Sequence, residues 1–155
     1  MKLTVLFVDD DQGYAKGFVE ALESRFDLTY VRHPDVAIER LRNGRFDGLV
    51  LDIKMPMPTG GDRHVLKDGQ FSGLFVLDQC QVLLAERTTF ACILTNVHLQ
   101  QINEKIVDFG IELPDGQLRV VSKGLTNRSV FPLELEGYMR LWRSKGASEP
   151  GGSGT

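Results

Sequence analysis

LVLDIKMP, residues 49–56, sets a carboxylate at the end of an apolar run and then stops the chain with a proline. Leu49, Val50 and Leu51 read as a buried strand, too short and too β-rich for a helix. Asp52 at its end must find partners or reach solvent, because an unpaired buried charge is costly. What it is for depends on which other residues end up beside it.

Outward from that strand, strands alternate with helical segments. LTVLFVD (3–9) is the first strand, and YAKGFVEALESRF (14–26) is helical, with Ala15, Phe18, Val19 and Leu22 on one face. LTYVR (28–32) is the second strand, followed by a short helix at 35–44 that Asp35 can cap and Gly44 can end. GLVLDI (48–53) is the third strand. A Pro- and Gly-rich stretch comes next, then the apolar helix SGLFVLDQCQVLLAER (72–87). FACILT (90–95) is the fourth strand, 99–110 a helix, LRVVSK (118–123) the fifth strand, and 132–145 an amphipathic helix. GIELPDGQ (110–117) carries a Pro-Asp-Gly turn signal, which predicts a small hairpin of Ile111–Leu113 with Leu118–Val121. Residues 146–155 are small and polar and are expected to be a disordered tail or linker remnant, leaving 1–145 as one domain.

Five β-then-α units with continuous apolar strands predict a doubly wound α/β fold, a five-stranded parallel sheet with helices on both faces. Right-handed crossovers bring every strand's C-terminal end to one edge, where ligands of such sheets bind.

Bulk properties narrow the function. A chain of 155 residues with 42% hydrophobic and 25% charged residues is that of an ordinary globular domain. A net charge of −3 gives no general footprint for nucleic acid or anionic membrane, and no run is long enough for a transmembrane helix. Cys80 and Cys92 have neither metal-ligand nor C-x-x-C spacing, so they read as buried free thiols in a reducing, cytoplasmic setting.

The polar residues at the strand ends are few: Asp9, Asp10 and Asp11 after the first, Asp52 in the third, Thr95 in the fourth and Lys123 in the fifth. Clustered carboxylates call for a cation, and hard oxygen donors suit Mg²⁺. A carboxylate beside that metal can attack phosphorus to give an acyl phosphate. The metal, an ammonium and a hydroxyl would neutralise the phosphoryl oxygens.

FVDDD, LVLDIKMP, ILTN and VVSKG together resemble the receiver domains of two-component response regulators, over residues 1 to about 144. The resemblance implies the strand order 2-1-3-4-5 of the flavodoxin-like fold. It implies Asp52 as phosphoacceptor, with Asp10 a direct Mg²⁺ ligand, Asp9 acting mainly through water, and the Lys54 backbone carbonyl a further ligand. Thr95 would be the switch hydroxyl and Lys123 the counter-ion. The implied partners are a sensor histidine kinase or phosphotransfer protein and a downstream protein target, with a homodimer as one form of output. No direct nucleic-acid or membrane contact is implied. With ten residues left after Lys145, a stand-alone receiver or one excised from a larger regulator is expected.

Three features depart from the pattern. About a dozen residues, MPTGGDRHVLKDG, are inserted before Gly73, in a position to lid the site or meet a kinase. Val120 stands where many receivers carry an aromatic switch residue, and Gly124 where proline usually follows the lysine. These departures give weight to a degenerate receiver that binds partners without phosphorylation. A phosphatase of the haloacid dehalogenase type is a third reading, with Asp9 and Asp11 imitating its D-x-D; it leaves LDIKMP unexplained.

Overall fold

Along β1 (Thr4–Val8), Leu6 and Val8 face one side of the strand and Val5 and Phe7 the other, and all four are buried. A strand buried on both faces needs cover on both. The computed structural model, which describes residues 2–154 and the side chains of 2–145, supplies it. The following elements are α1 (Gln12–Glu23), β2 (Asp27–Val31), α2 (Pro34–Asn43), β3 (Gly48–Leu51), α3 (Ser72–Glu86) and β4 (Phe90–Thr95). Then come α4 (Leu99–Asp108), β5 (Leu118–Ser122), a 3-10 turn at Lys123–Leu125, and α5 (Phe131–Gly154). The expected tail at 146–155 lies outside the residues described to their side chains.

All strand pairs are parallel, in the order β2-β1-β3-β4-β5. Side chains alternate across the sheet, so two cores form. One gathers Leu6, Leu49, Leu51 and Ile93 against α2, α3 and Ile102 of α4. The other gathers Val5, Phe7, Val50 and Leu94 against Phe18 of α1 and Phe131, Leu135 and Met139 of α5. The register pairs Val8 with Val31 and Leu51, Leu51 with Ile93, and Thr95 with Ser122. Asp9, Asp52, Thr95 and Lys123 therefore leave the sheet at the same edge.

Several local expectations are corrected. Helix α1 starts at Gln12, because the Asp11 carboxylate accepts from the Tyr14 amide at 3.1 Å and caps it. The cap of α2 is His33 rather than Asp35: its Nδ1 accepts from the Asp35 amide at 3.1 Å. The hairpin at 111–121 does not form. The Gln117 amide donates to the Pro114 carbonyl at 3.0 Å, so the turn is there, but β5 pairs with β4 instead. The amide of Glu112 is taken by the Gln81 side chain of α3 at 2.7 Å, which removes it from any strand ladder.

The insertion after β3 is a folded strap. Its ends are drawn together where the Met55 amide donates to the Gly69 carbonyl at 3.1 Å. Leu66 reaches into the first core at 2% exposure. Asp62 accepts from the His64 and Val65 amides, both at 2.9 Å, and Thr59 bonds Asp35 of α2 through its amide (2.8 Å) and hydroxyl (2.7 Å). Lys67, Asp68 and Gly69 turn the chain back through three successive positive φ angles, 48°, 54° and 102°.

Candidate functional site

The end of β1 fixes Asp9 by its backbone. Its amide donates to the Val31 carbonyl at 3.2 Å, and its carbonyl accepts from the Tyr30 hydroxyl at 2.8 Å. Its carboxylate, fully buried, accepts from the Asp11 amide at 2.9 Å and from Lys123 Nζ at 2.7 Å. One strand over, the Asp52 amide donates to the Val8 carbonyl at 3.0 Å, continuing the ladder one residue past β3. Asp52 Oδ1 accepts from the Ile53 amide at 2.7 Å and Oδ2 from Lys123 Nζ at 3.0 Å. Gly73 sets the approach of α3: its amide donates to the Ile53 carbonyl at 2.8 Å, and a Cβ there would sit 2.2 Å from the Asp52 carbonyl oxygen. No other residue type fits that position.

Asp9, Asp10 and Asp52 place carboxylate oxygens within 4.8 Å of one another, the one such cluster among the described residues. Burial raises the carboxyl of Asp9 above its ordinary range, and the Asp52 charge adds to the effect against the Lys123 hydrogen bond. Burial likewise raises Asp10, helped by Asp52 and Asp11. For Lys123 burial pulls downward, but the Asp52 and Asp9 carboxylates outweigh it and its ammonium is held above the usual lysine value. Three carboxylates thus face one ammonium, and among the described residues Asp10 has no ion-pair partner. That donor set, all hard oxygens with a surplus of negative charge, fits Mg²⁺.

The cluster opens into a crevice of about 690 Å³ lined by Asp10, Asp52, Lys54, Thr95 and Lys123, together with Asp68 and Gly69 of the strap. Every residue expected at the site except Asp9 borders this space, and Asp9 lies beneath it, bonded to Lys123. Thr95 is buried, and its hydroxyl oxygen accepts from the Val97 amide at 3.3 Å rather than meeting Asp52. Tyr14 of α1 is an addition that the sequence does not single out: its ring lines the crevice with its centroid 4.7 Å from Lys123 Nζ. Cys80 and Cys92 take no part, since burial pushes their thiols up to about 11 and about 12.

By sequence alone, no protein-family model and no curated protein matches the chain. Solved structures do. A receiver domain protein (CheY-like) of Methanospirillum hungatei JF-1 superposes with a TM-score of 0.67 at 14% identity, over 94% of this chain and 99% of that one. The signal receiver domain of a putative Luxo repressor protein of Vibrio parahaemolyticus gives 0.67 at 17% identity, over 96% and 98%. That of an HD domain-containing protein of Pseudomonas fluorescens Pf-5 gives 0.68 at 17%, over 95% and 93%. The chain has the receiver fold.

Within the receiver fold, the alternation of side chains explains the site's composition. Asp9, Asp52 and Lys123 continue the parity of Phe7, Val50 and Val121, all on the α1/α5 face. Val120 falls on the opposite face, packed against the first core, where no aromatic ring accompanies Thr95 from β5. Among the described residues, no helix is long and apolar enough to cross a membrane.

Proposed function

We propose that the chain is a receiver that takes a phosphoryl group onto Asp52 from a phosphohistidine of a sensor kinase or phosphotransfer protein, and signals the change to a protein partner. One observation carries the reading: Lys123 bridges Asp9 and Asp52 at 2.7 and 3.0 Å, with Asp10 beside them at the mouth of the sheet. In the transfer an Asp52 oxygen attacks phosphorus and forms the P–O bond. The P–N bond breaks, and the imidazole, already protonated on its other ring nitrogen, leaves neutral with that electron pair. Lys123 exchanges its bond to Asp52 for one to a phosphoryl oxygen, and Thr95 turns its hydroxyl from the Val97 amide toward another. Mg²⁺, held by Asp10, Asp52, the Lys54 backbone carbonyl and, mainly through water, Asp9, would neutralise the remaining phosphoryl charge.

The chain is on this reading a signalling domain that catalyses only its own phosphorylation and dephosphorylation. The dehalogenase-type alternative asks Asp11 to work beside Asp9, whereas the Asp11 carboxylate is spent on capping α1.

Intact mass after incubation with acetyl phosphate tests the proposal. The expected result is one added phosphoryl group that requires Mg²⁺ and is absent in Asp52→Asn. No addition in the wild type, with no Mg²⁺ binding, would leave a degenerate receiver. Turnover of phosphomonoesters that persists in Asp52→Asn and stops in Asp9→Asn would point to the phosphatase.

A further inference from the structure

Two cations lie against the Tyr14 ring. The ring centroid lies 4.7 Å from Lys123 Nζ inside the crevice and 5.7 Å from the Arg128 guanidinium, which is exposed on the β5–α5 loop. The ring also stacks on Phe18 (6.0 Å, 20°), and Phe18 meets Phe131 at the start of α5 edge-on (5.8 Å, 84°). Arg128 is seated over Gly17, where a Cβ would come 2.3 Å from its Nη1 and 2.7 Å from its Cδ. The absence of a side chain at Gly17 therefore makes room for Arg128 beside Tyr14.

We infer that Tyr14 is the positioning residue for Lys123 and transmits its displacement to Arg128 and the 124–131 segment. The inference rests on the proposed phosphorylation of Asp52. Lys123 is nearly enclosed: two carboxylates take its hydrogen bonds and the Tyr14 ring is close beside it. A cation is attracted to a ring face without a directional bond, so Lys123 can turn from Asp52 to a phosphoryl oxygen while remaining in contact with the ring. Any shift of the ring alters its contact with Arg128 and its packing on Phe18. On β5, Val120 offers no ring for such a relay. The readout of the site thus runs along α1 to the β5–α5 loop.

Amide hydrogen exchange over residues 124–131 provides the test, measured on unphosphorylated protein and on protein phosphorylated with acetyl phosphate and Mg²⁺. The wild type is expected to change its exchange there on phosphorylation by about two- to fivefold, the factor corresponding to one cation–π contact at an exposed site. Tyr14→Phe, which retains the ring, should respond like the wild type. Tyr14→Leu, Arg128→Ala and Gly17→Ala should lose the response. Gly17→Ala guards against simple unfolding, because alanine favours the helix while its methyl displaces Arg128. Equal exchange in both states of the wild type, or a full response in Arg128→Ala and Gly17→Ala, would overturn the inference. Absence of any mass gain at Asp52 would remove the functional reading beneath it, and the mass measurement tells these two failures apart.

Discussion

Asp10 is the residue on which the electrostatics of the site turn. Its carboxyl is raised by burial and by the charges of Asp52 and Asp11, so the fold favours its protonated form. A carboxyl raised in the folded state contributes stability below its ordinary range and loses it as pH rises through the folded value. At neutral pH its charge is therefore a cost, which a bound dication would remove. Asp10→Asn is expected to melt higher than the wild type in EDTA, by on the order of 2–4 °C per kcal/mol recovered. Added Mg²⁺ should raise the melting temperature of the wild type and leave that of the variant nearly still. A variant that melts lower in EDTA would mean that the Asp10 charge is no cost to the fold, and one that still responds fully to Mg²⁺ would mean that Asp10 is not a ligand. Asp10, Asp52 and Lys123 are legible in the sequence by their joint occurrence at the ends of strands that one sheet brings to the same edge, although each alone has a commoner reading as a solvated, capping or surface charge. Tyr14 is not, because its place on the apolar side of α1 matches ordinary core packing, and its ring does pack on Phe18.

The strap is the element with most to say about how local chemistry and long-range placement diverge. Composition marked the insertion and its polar residues, but Leu66, a single aliphatic residue among them, gave no sign that it would reach the core. The turn at Pro114–Gln117 was legible for the opposite reason, and the hairpin built on it was not: a turn fixes its own four residues and leaves the strand's partner to the sheet. Two glycines of the strap separate conformational strain from collision. Gly60 has a φ of 84° with open space around it, so Gly60→Ala should cost about 1–2 kcal/mol for the left-handed backbone alone. Gly69 has a φ of 102°, and a Cβ there would lie 2.4 Å from the Met55 carbonyl oxygen. Gly69→Ala should therefore cost clearly more, and should open 57–70 to protease while Gly60→Ala stays resistant. Comparable melts and comparable cleavage in the two variants would show that the Met55–Gly69 closure does not hold the strap.

For the whole molecule, the two edges of the sheet do different work. The edge with the site carries charge at a cost, and the opposite edge is tied down by Asp47. Its carboxylate accepts from the Thr4 amide at 2.8 Å, the Thr4 hydroxyl at 3.1 Å and Arg143 of α5, while its carbonyl accepts from the Phe90 amide at 3.0 Å. One residue thus joins the starts of β1 and β4 to the last helix. Burial acts to raise its carboxyl, but the Thr4 amide and Arg143 outweigh it and hold it below the ordinary range. The sign is therefore opposite to that of Asp10: the stability from Asp47 is complete above about pH 4 and is lost as pH falls through the lower folded value. Asp47→Asn should lower stability by about 1–3 kcal/mol at pH 7, the range for a hydrogen bond to a charged group plus the partners left behind. Against the wild type, that deficit should shrink as pH falls through the lower folded value, below which both side chains are uncharged. Urea midpoints at pH 7 and at the acid limit measure it. A deficit that stays constant would place the value of the contact in hydrogen-bond geometry alone, since an amide and a protonated carboxyl would then serve Thr4 and Arg143 unequally with no help from charge.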